Sequence, residues 1–175
     1  LYHRECCRLW VISIEDRRKI ASGRPTLFVS NHNSYLDIPV LSTIGSLSFV
    51  AKSEVSSWPF FGLLAKLQQT VFIDRRRASA GKQRDAIGQR LADGDRLVLF
   101  AEGTSSDGNR VLPFKSALFS VAERRDEGQP LTVQPVSVDY VSLNGMPMGR
   151  NLRPLFAWYG DMDLGSHLWT FAGLG

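Results

Sequence analysis

A histidine and an aspartate stand five positions apart in Ser30-Asn31-His32-Asn33-Ser34-Tyr35-Leu36-Asp37, directly after the apolar run Leu27-Phe28-Val29. An imidazole and a carboxylate can act together as a general base and the group that orients it. On one unbroken helix, residues five apart point to different faces. For the two to meet, His32 must stay in a turn while Asp37 falls in the first turn of a helix. Ser34 and Asp37 have the Ser-x-x-acid spacing of a capping box, which predicts a helix start there. A cap aspartate beside an unrelated polar loop histidine fits the same residues.

A second segment, Phe100-Ala101-Glu102-Gly103-Thr104-Ser105-Ser106-Asp107-Gly108, sets a glycine immediately after an acid. Glycine lets backbone N–H groups approach a ligand, and the hydroxyl residues add donors. A polar turn between strand and helix is the plainer reading. A serine nucleophile in a Gly-x-Ser-x-Gly elbow needs glycines four apart, whereas Gly103 and Gly108 are five apart. The cations Arg75-Arg76-Arg77 offer guanidinium forks to a phosphate, or stand as solvated charge. Residues 56–67, with Trp58, Phe60 and Phe61, are too short to span a bilayer. They could lie in its interface or form a core helix. His3 and His167 lack suitably spaced partners, and Cys6 and Cys7 are adjacent, so no metal site is expected.

These residues need a frame that brings them together. Short apolar runs at 26–30, 47–51, 70–73, 96–101 and 132–139, with a weaker one at 155–159, read as strands. Helix-compatible segments lie between them at 36–44, 56–67, 79–92 and 116–125. Alternating strand and helix predicts an α/β domain with a largely parallel central sheet flanked by helices. His32, Asp74-Arg75 and Glu102 each follow a strand. Ligands of open parallel sheets bind outside the carboxyl ends of the strands, so a base, a cation and an acid would share one rim.

The 175 residues suffice for one domain with a real core, read as a single unit over 1–175. The chain starts at Leu1 without methionine and stops at Gly175, which reads as a fragment lacking an N-terminal membrane-associated flank and a C-terminal one. No stretch reaches the roughly 18 apolar residues of a membrane span. The formal charge is +4, with basic clusters at Arg17-Arg18-Lys19, Arg75-Arg76-Arg77 and Arg124-Arg125. Such clusters suit phosphate or an anionic membrane face. No nucleic-acid-binding signature accompanies them, so nucleic acid is not an expected partner. Two adjacent cysteines without a distant partner fit a reduced, cytosol-facing setting.

The residues resemble the glycerolipid acyltransferases of the lysophosphatidic acid acyltransferase type. His32-Asn33-Ser34-Tyr35-Leu36-Asp37 fits their His-x-x-x-x-Asp signature, and Val71-Phe72-Ile73-Asp74-Arg75 looks like their second motif. Phe100-Ala101-Glu102-Gly103-Thr104 is similar to the third, Phe-Pro-Glu-Gly-Thr, and Val133-Gln134-Pro135-Val136-Ser137-Val138 to the fourth. All four stand in family order. Ala101 replaces the usual proline, Thr70 a frequent glycine, and Ser105 the arginine that commonly follows Glu-Gly-Thr. The run from Gly103 to Arg110, continuing to Pro113-Phe114-Lys115, also resembles a bacterial branch that includes lyso-ornithine-lipid acyltransferases.

The resemblance implies transfer of a fatty acyl group from a thioester, on acyl carrier protein or coenzyme A, to the hydroxyl of 1-acyl-glycerol-3-phosphate. Phosphatidic acid would be the product, in phospholipid biosynthesis, and lyso-ornithine lipid is the alternative acceptor. It implies His32 and Asp37 as the catalytic pair, with Arg75, Glu102, Gly103 and Thr104 binding substrate. No cofactor beyond the co-substrate is implied. Trp58, Phe60 and Phe61 would meet an anionic membrane, on the cytoplasmic face of the inner membrane. A non-catalytic lipid-binding module and a lipid esterase are the competing classes.

Overall fold

The structure, a computed structural model, describes residues 2–10, 12–15, 20–21, 25–74, 80–121, 125–126 and 129–174. Helix α1 (Tyr2–Leu9) precedes β1 (Thr26–Ser30), α2 (Asp37–Ser42) and β2 (Ser48–Lys52). Next come α3 (Phe61–Leu67), β3 (Val71–Ile73), α4 (Ala80–Ala92) and β4 (Arg96–Phe100). Two-residue strands β5 (Arg125–Asp126) and β6 (Gln129–Pro130) pair with each other before β7 (Thr132–Val136). A second short pair, β8 (Ser142–Leu143) with β9 (Met146–Pro147), and helix α5 (Leu164–Ala172) follow.

The central sheet runs β3-β2-β4-β1-β7, and every pairing in it is parallel. Its central strands β1 and β4 are apolar and buried on both sides, as strands covered by helices on both faces require. Alternation along β1 and β4 sorts their side chains. Leu27, Val29, Leu97 and Leu99 pack with Ile87 and Leu91 of α4 on one face. Phe28, Val98 and Phe100 pack with Leu41 of α2 on the other. Leu27, Leu97 and Val98 are wholly buried. A third cluster, around Leu36, Met148, Phe156 and Phe171, carries Trp10 and Tyr35 and closes over the β1–α2 turn.

Three of the expected elements differ. The segment 155–159 is not a strand: Pro154 sits in a 3-10 turn (Arg153–Leu155), and the chain then runs irregularly. The helix expected over 116–125 is a 3-10 segment (Ser116–Val121) followed by β5. The one expected over 56–67 is broken, because the backbone at Phe60 takes φ 63° after Pro59 and α3 begins only at Phe61. A β-carbon at Gly62 would lie 2.5 Å from the Ser56 carbonyl oxygen, so only glycine lets α3 fold back this closely on the preceding 3-10 turn (Ser53–Ser57).

Candidate active site

The strand order fixes the site. β1 lies between β4 and β7, with Ser30 in register with both Phe100 and Val136. The three chain exits beyond them, at His32, Glu102 and Val138, are therefore neighbours on the carboxyl rim of the sheet.

His32 Nδ1 lies 2.8 Å from Asp37 Oδ2. A buried carboxylate accepts, so Nδ1 carries the proton and Nε2 is left as the atom able to take one. The imidazole stacks on Phe100 with 3.9 Å between ring centroids. Its side chain is 20% exposed, against 0% for Asp37, so the imidazole can be reached while the carboxylate cannot. Asp37 is the first residue of α2, as the five-residue spacing demands.

Only half of the expected capping box forms. Asp37 Oδ2 reaches back to the N–H groups of Asn33 at 2.7 Å and Ser34 at 3.0 Å. Ser34 Oγ does not return the contact, and the residue that caps α2 is Leu36. The Asp37 side chain thus folds the turn around itself: three donors meet Oδ2, and the Tyr140 hydroxyl donates to Oδ1 at 2.8 Å.

Glu102 holds the same turn from the β4 side. Its Oε1 accepts from the His32 N–H at 2.9 Å and its Oε2 from the Leu112 N–H at 2.8 Å. The residue is 1% exposed, so its carboxylate grips the backbone and is not open at the surface. The Ser106 N–H donates to the His32 carbonyl at 2.9 Å and closes the contact between the two loops. From the β7 side, Asn31 and Asn33 both donate to the Val138 carbonyl, and Val138 N–H returns a bond to Asn31. Each exit of the three central strands is thus tied to the loop that carries His32.

Gly103, at φ 68°, makes the turn after Glu102, and Thr104 beside it is exposed on the rim. Four backbone donors of these loops are committed: His32, Asn33 and Ser34 as above, and the Gly103 N–H to Phe100 at 3.0 Å. An oxyanion formed here must find donors other than these four. Arg75, Arg76 and Arg77 lie outside the described residues, as do Arg17, Arg18, Lys19 and Arg124. Of the second motif the structure describes β3 and Asp74. Because β3 is three strands from β1, its exit stands about 14 Å along the rim from that of β1.

Trp58 and Phe61 are partly covered, Trp58 edge-on to Trp158 and Phe61 near Tyr35. Phe60 is 67% exposed and joins Leu63 and Leu67 of α3, also exposed. Leu63 and Leu67 are spaced to share one face of α3, and Phe60 immediately precedes the helix. Among the described residues no helix is long and apolar enough to cross a membrane, and no group of three or more His, Cys, Asp or Glu is placed to hold a metal. His167 is more than a lone structural residue: its Nδ1 meets the Tyr35 hydroxyl at 3.1 Å. Burial lowers its pKa, and burial also pushes the Tyr35 phenol up to about 12.

The roles of Tyr140 and of the Asn31–Val138 clasp were not read from sequence. A polar doublet flanking His32, and a tyrosine just past a strand exit, were the available signals. Neither has a distinctive spacing.

Comparison with known proteins places this arrangement. The family model described as Acyltransferase matches residues 11–139. A lyso-ornithine lipid O-acyltransferase of Brucella abortus is 52% identical over 95% of this chain and 64% of its own length. A 1-acyl-sn-glycerol-3-phosphate acyltransferase of Neisseria meningitidis is 35% identical over 87% of this chain and 59% of its own. The chain thus spans less than two thirds of the length of these curated relatives. The crystal structure of the 1-acyl-sn-glycerophosphate acyltransferase PlsC of Thermotoga maritima shares the fold, with a TM-score of 0.50 at 24% identity over 79% of this chain and 64% of that one. With the four motifs in order and the α/β fold in place, the chain belongs to the acyltransferase family.

Proposed function

We propose that the protein transfers a fatty acyl group from an acyl thioester to the free hydroxyl of a lysolipid, with lyso-ornithine lipid as the acceptor. The observation that carries this is the His32–Asp37 pair, reachable at His32 and buried at Asp37, on the rim where ligands of parallel sheets bind. His32 Nε2 removes the acceptor's hydroxyl proton as its oxygen attacks the thioester carbonyl. Asp37 keeps the proton on Nδ1 and stabilises the imidazolium that forms. Collapse of the tetrahedral intermediate breaks the carbon–sulfur bond, and the imidazolium returns the proton to the departing thiolate. No acyl-enzyme is formed, because the acceptor itself is the nucleophile.

The acceptor choice rests on two supports. The more similar relative, at 52% identity, is named for lyso-ornithine lipid, against 35% for the one named for 1-acyl-glycerol-3-phosphate. Ser105 also stands where the resemblance leads one to expect an arginine for the acceptor's phosphate. Transfer to 1-acyl-glycerol-3-phosphate is the second reading, favoured by the Neisseria relative, and would draw on Arg75. The donor is a thioester of acyl carrier protein or coenzyme A. The exposed face Phe60, Leu63 and Leu67 would rest in the membrane interface and bring the rim to its lipid.

The test offers both lysolipids to the purified protein with each labelled acyl thioester. Preferential formation of ornithine lipid supports the assignment. Exclusive formation of phosphatidic acid moves the acceptor to the second reading. Free fatty acid as the main product, independent of acceptor, would overturn acyl transfer.

A further inference from the structure

We propose that Tyr140 is a positioning residue for the base: its hydroxyl holds Asp37 Oδ1 so that Oδ2 stays aimed at His32 Nδ1. This deepens the proposed acyl transfer and rests on it for the kinetic part of its test. Tyr140 lies beyond all four motifs, past the β7 exit, and its ring stacks on Phe156 with 5.4 Å between centroids. Its hydroxyl donates to Asp37 Oδ1 at 2.8 Å, whereas the two backbone N–H groups and His32 all meet Oδ2. Of the four donors, three therefore leave the carboxylate free to pivot about Oδ2. The fourth fixes its plane.

The groups facing Tyr140 come from three elements: Asp37 from α2, Tyr35 from the turn before it, and Cys7 from α1. Around His32 stand Asp37, the Phe100 ring and the Glu102 carboxylate at its N–H. Burial, reinforced by the Asp37 charge, drives the Tyr140 phenol well above its ordinary value. The hydroxyl therefore remains a donor across the neutral pH range. A donor on Oδ1 also draws charge away from Oδ2. Removing it leaves a more basic oxygen facing His32, which favours the imidazolium.

The experiment is Tyr140→Phe in the full chain, purified in detergent, which keeps the ring and its stacking. The His32 imidazole is titrated by NMR, with His32→Ala identifying its signal, beside the pH–rate profile and the melting curve. The His32 titration should move up by about one pH unit, since a hydrogen bond to a charged group is of that order. The acid limb of kcat should follow it, with kcat falling by up to about tenfold on that limb and the acceptor KM within about twofold of wild type. An unmoved titration, with any loss of activity matched by the fall in melting temperature, would reduce Tyr140 to a packing residue. A raised acceptor KM with kcat intact would place its hydroxyl on the substrate; either result overturns the proposal. If Tyr140→Phe folds poorly, 3,5-difluorotyrosine at position 140 is a stronger donor and must move the titration down. The titration needs no substrate, so a wild type inactive on both lysolipids would sink the reaction while the titration still decides Tyr140.

Discussion

Glu102→Gln separates two ways in which an acid can matter at this rim. If Glu102 binds substrate, the amide should chiefly weaken acceptor binding. The structure instead has each carboxylate oxygen accepting one backbone N–H, from His32 and from Leu112, in a residue 1% exposed. Glutamine keeps one acceptor and turns an NH₂ toward the other N–H. One hydrogen bond to a charged acceptor is lost, worth about 1.5–3 kcal/mol, and a buried N–H is stranded at about 1–3 kcal/mol. Partial relaxation of the loop leaves a cost of about 3 kcal/mol. For a chain of this size each kcal/mol lowers Tm by about 2–4 °C, so the melting curve should fall by about 6–12 °C. The freed loop carries His32, and a base displaced by an ångström can cost up to about 10²-fold in rate. We expect kcat to drop about 10–100-fold while the acceptor KM stays within about twofold. Tm would be followed by scanning fluorimetry and turnover with a labelled thioester. An unchanged Tm with a strongly raised acceptor KM and intact kcat would refute the reasoning and return Glu102 to the substrate.

The remaining predictions are simpler. His32→Ala removes the base and should lower kcat by about 10²–10⁴-fold with little change in Tm, since its ring is partly exposed; turnover of the purified variant checks this. Phe60→Ser with Leu63→Ser and Leu67→Ser should weaken co-sedimentation with anionic liposomes while leaving the melting curve nearly intact. Those side chains are exposed, and unchanged co-sedimentation would dismiss this face as the membrane contact. Burial lowers the His167 pKa from 6.5, so below about pH 6.5 the unfolded chain binds a proton that the folded one resists. Stability should therefore fall as pH drops through that value, and His167→Gln should remove part of the fall in Tm between pH 7 and 5.

The strands of the central sheet were legible because each is a short apolar run ended by a polar or glycine-containing turn, and Thr26–Ser30 was read to the residue. The sheet order was not, since parallel strands carry no turn signal that names their neighbours. Yet it is the placement of β1 between β4 and β7 that makes His32 and Glu102 partners. Residues 56–67 show where local pattern misled: continuous apolar character hid a break that Pro59 and the positive φ of Phe60 impose. Residues 155–159 are apolar because Phe156 and Ala157 are buried under α5 and the β1–α2 turn, a demand of packing that mimics a strand. At the site, the His32–Asp37 contact was one of two readings the spacing allowed, the other being a cap aspartate beside an unrelated loop histidine. Glu102 was found as a residue of interest, but its direction was not: sequence could not show that the carboxylate faces inward to backbone N–H groups.

In the proposed reaction His32, oriented by Asp37, deprotonates a lysolipid hydroxyl that attacks the thioester directly. The most direct measurement incubates wild type and His32→Ala with labelled acyl thioester, with and without lyso-ornithine lipid, and resolves the lipid products and the protein-bound label. Labelled diacyl lipid is expected from wild type only, dependent on the acceptor, with no label covalently held by the protein when the acceptor is withheld. Equal product from His32→Ala, or a covalent acyl-protein that forms without acceptor and then discharges to it, would contradict the proposed reaction.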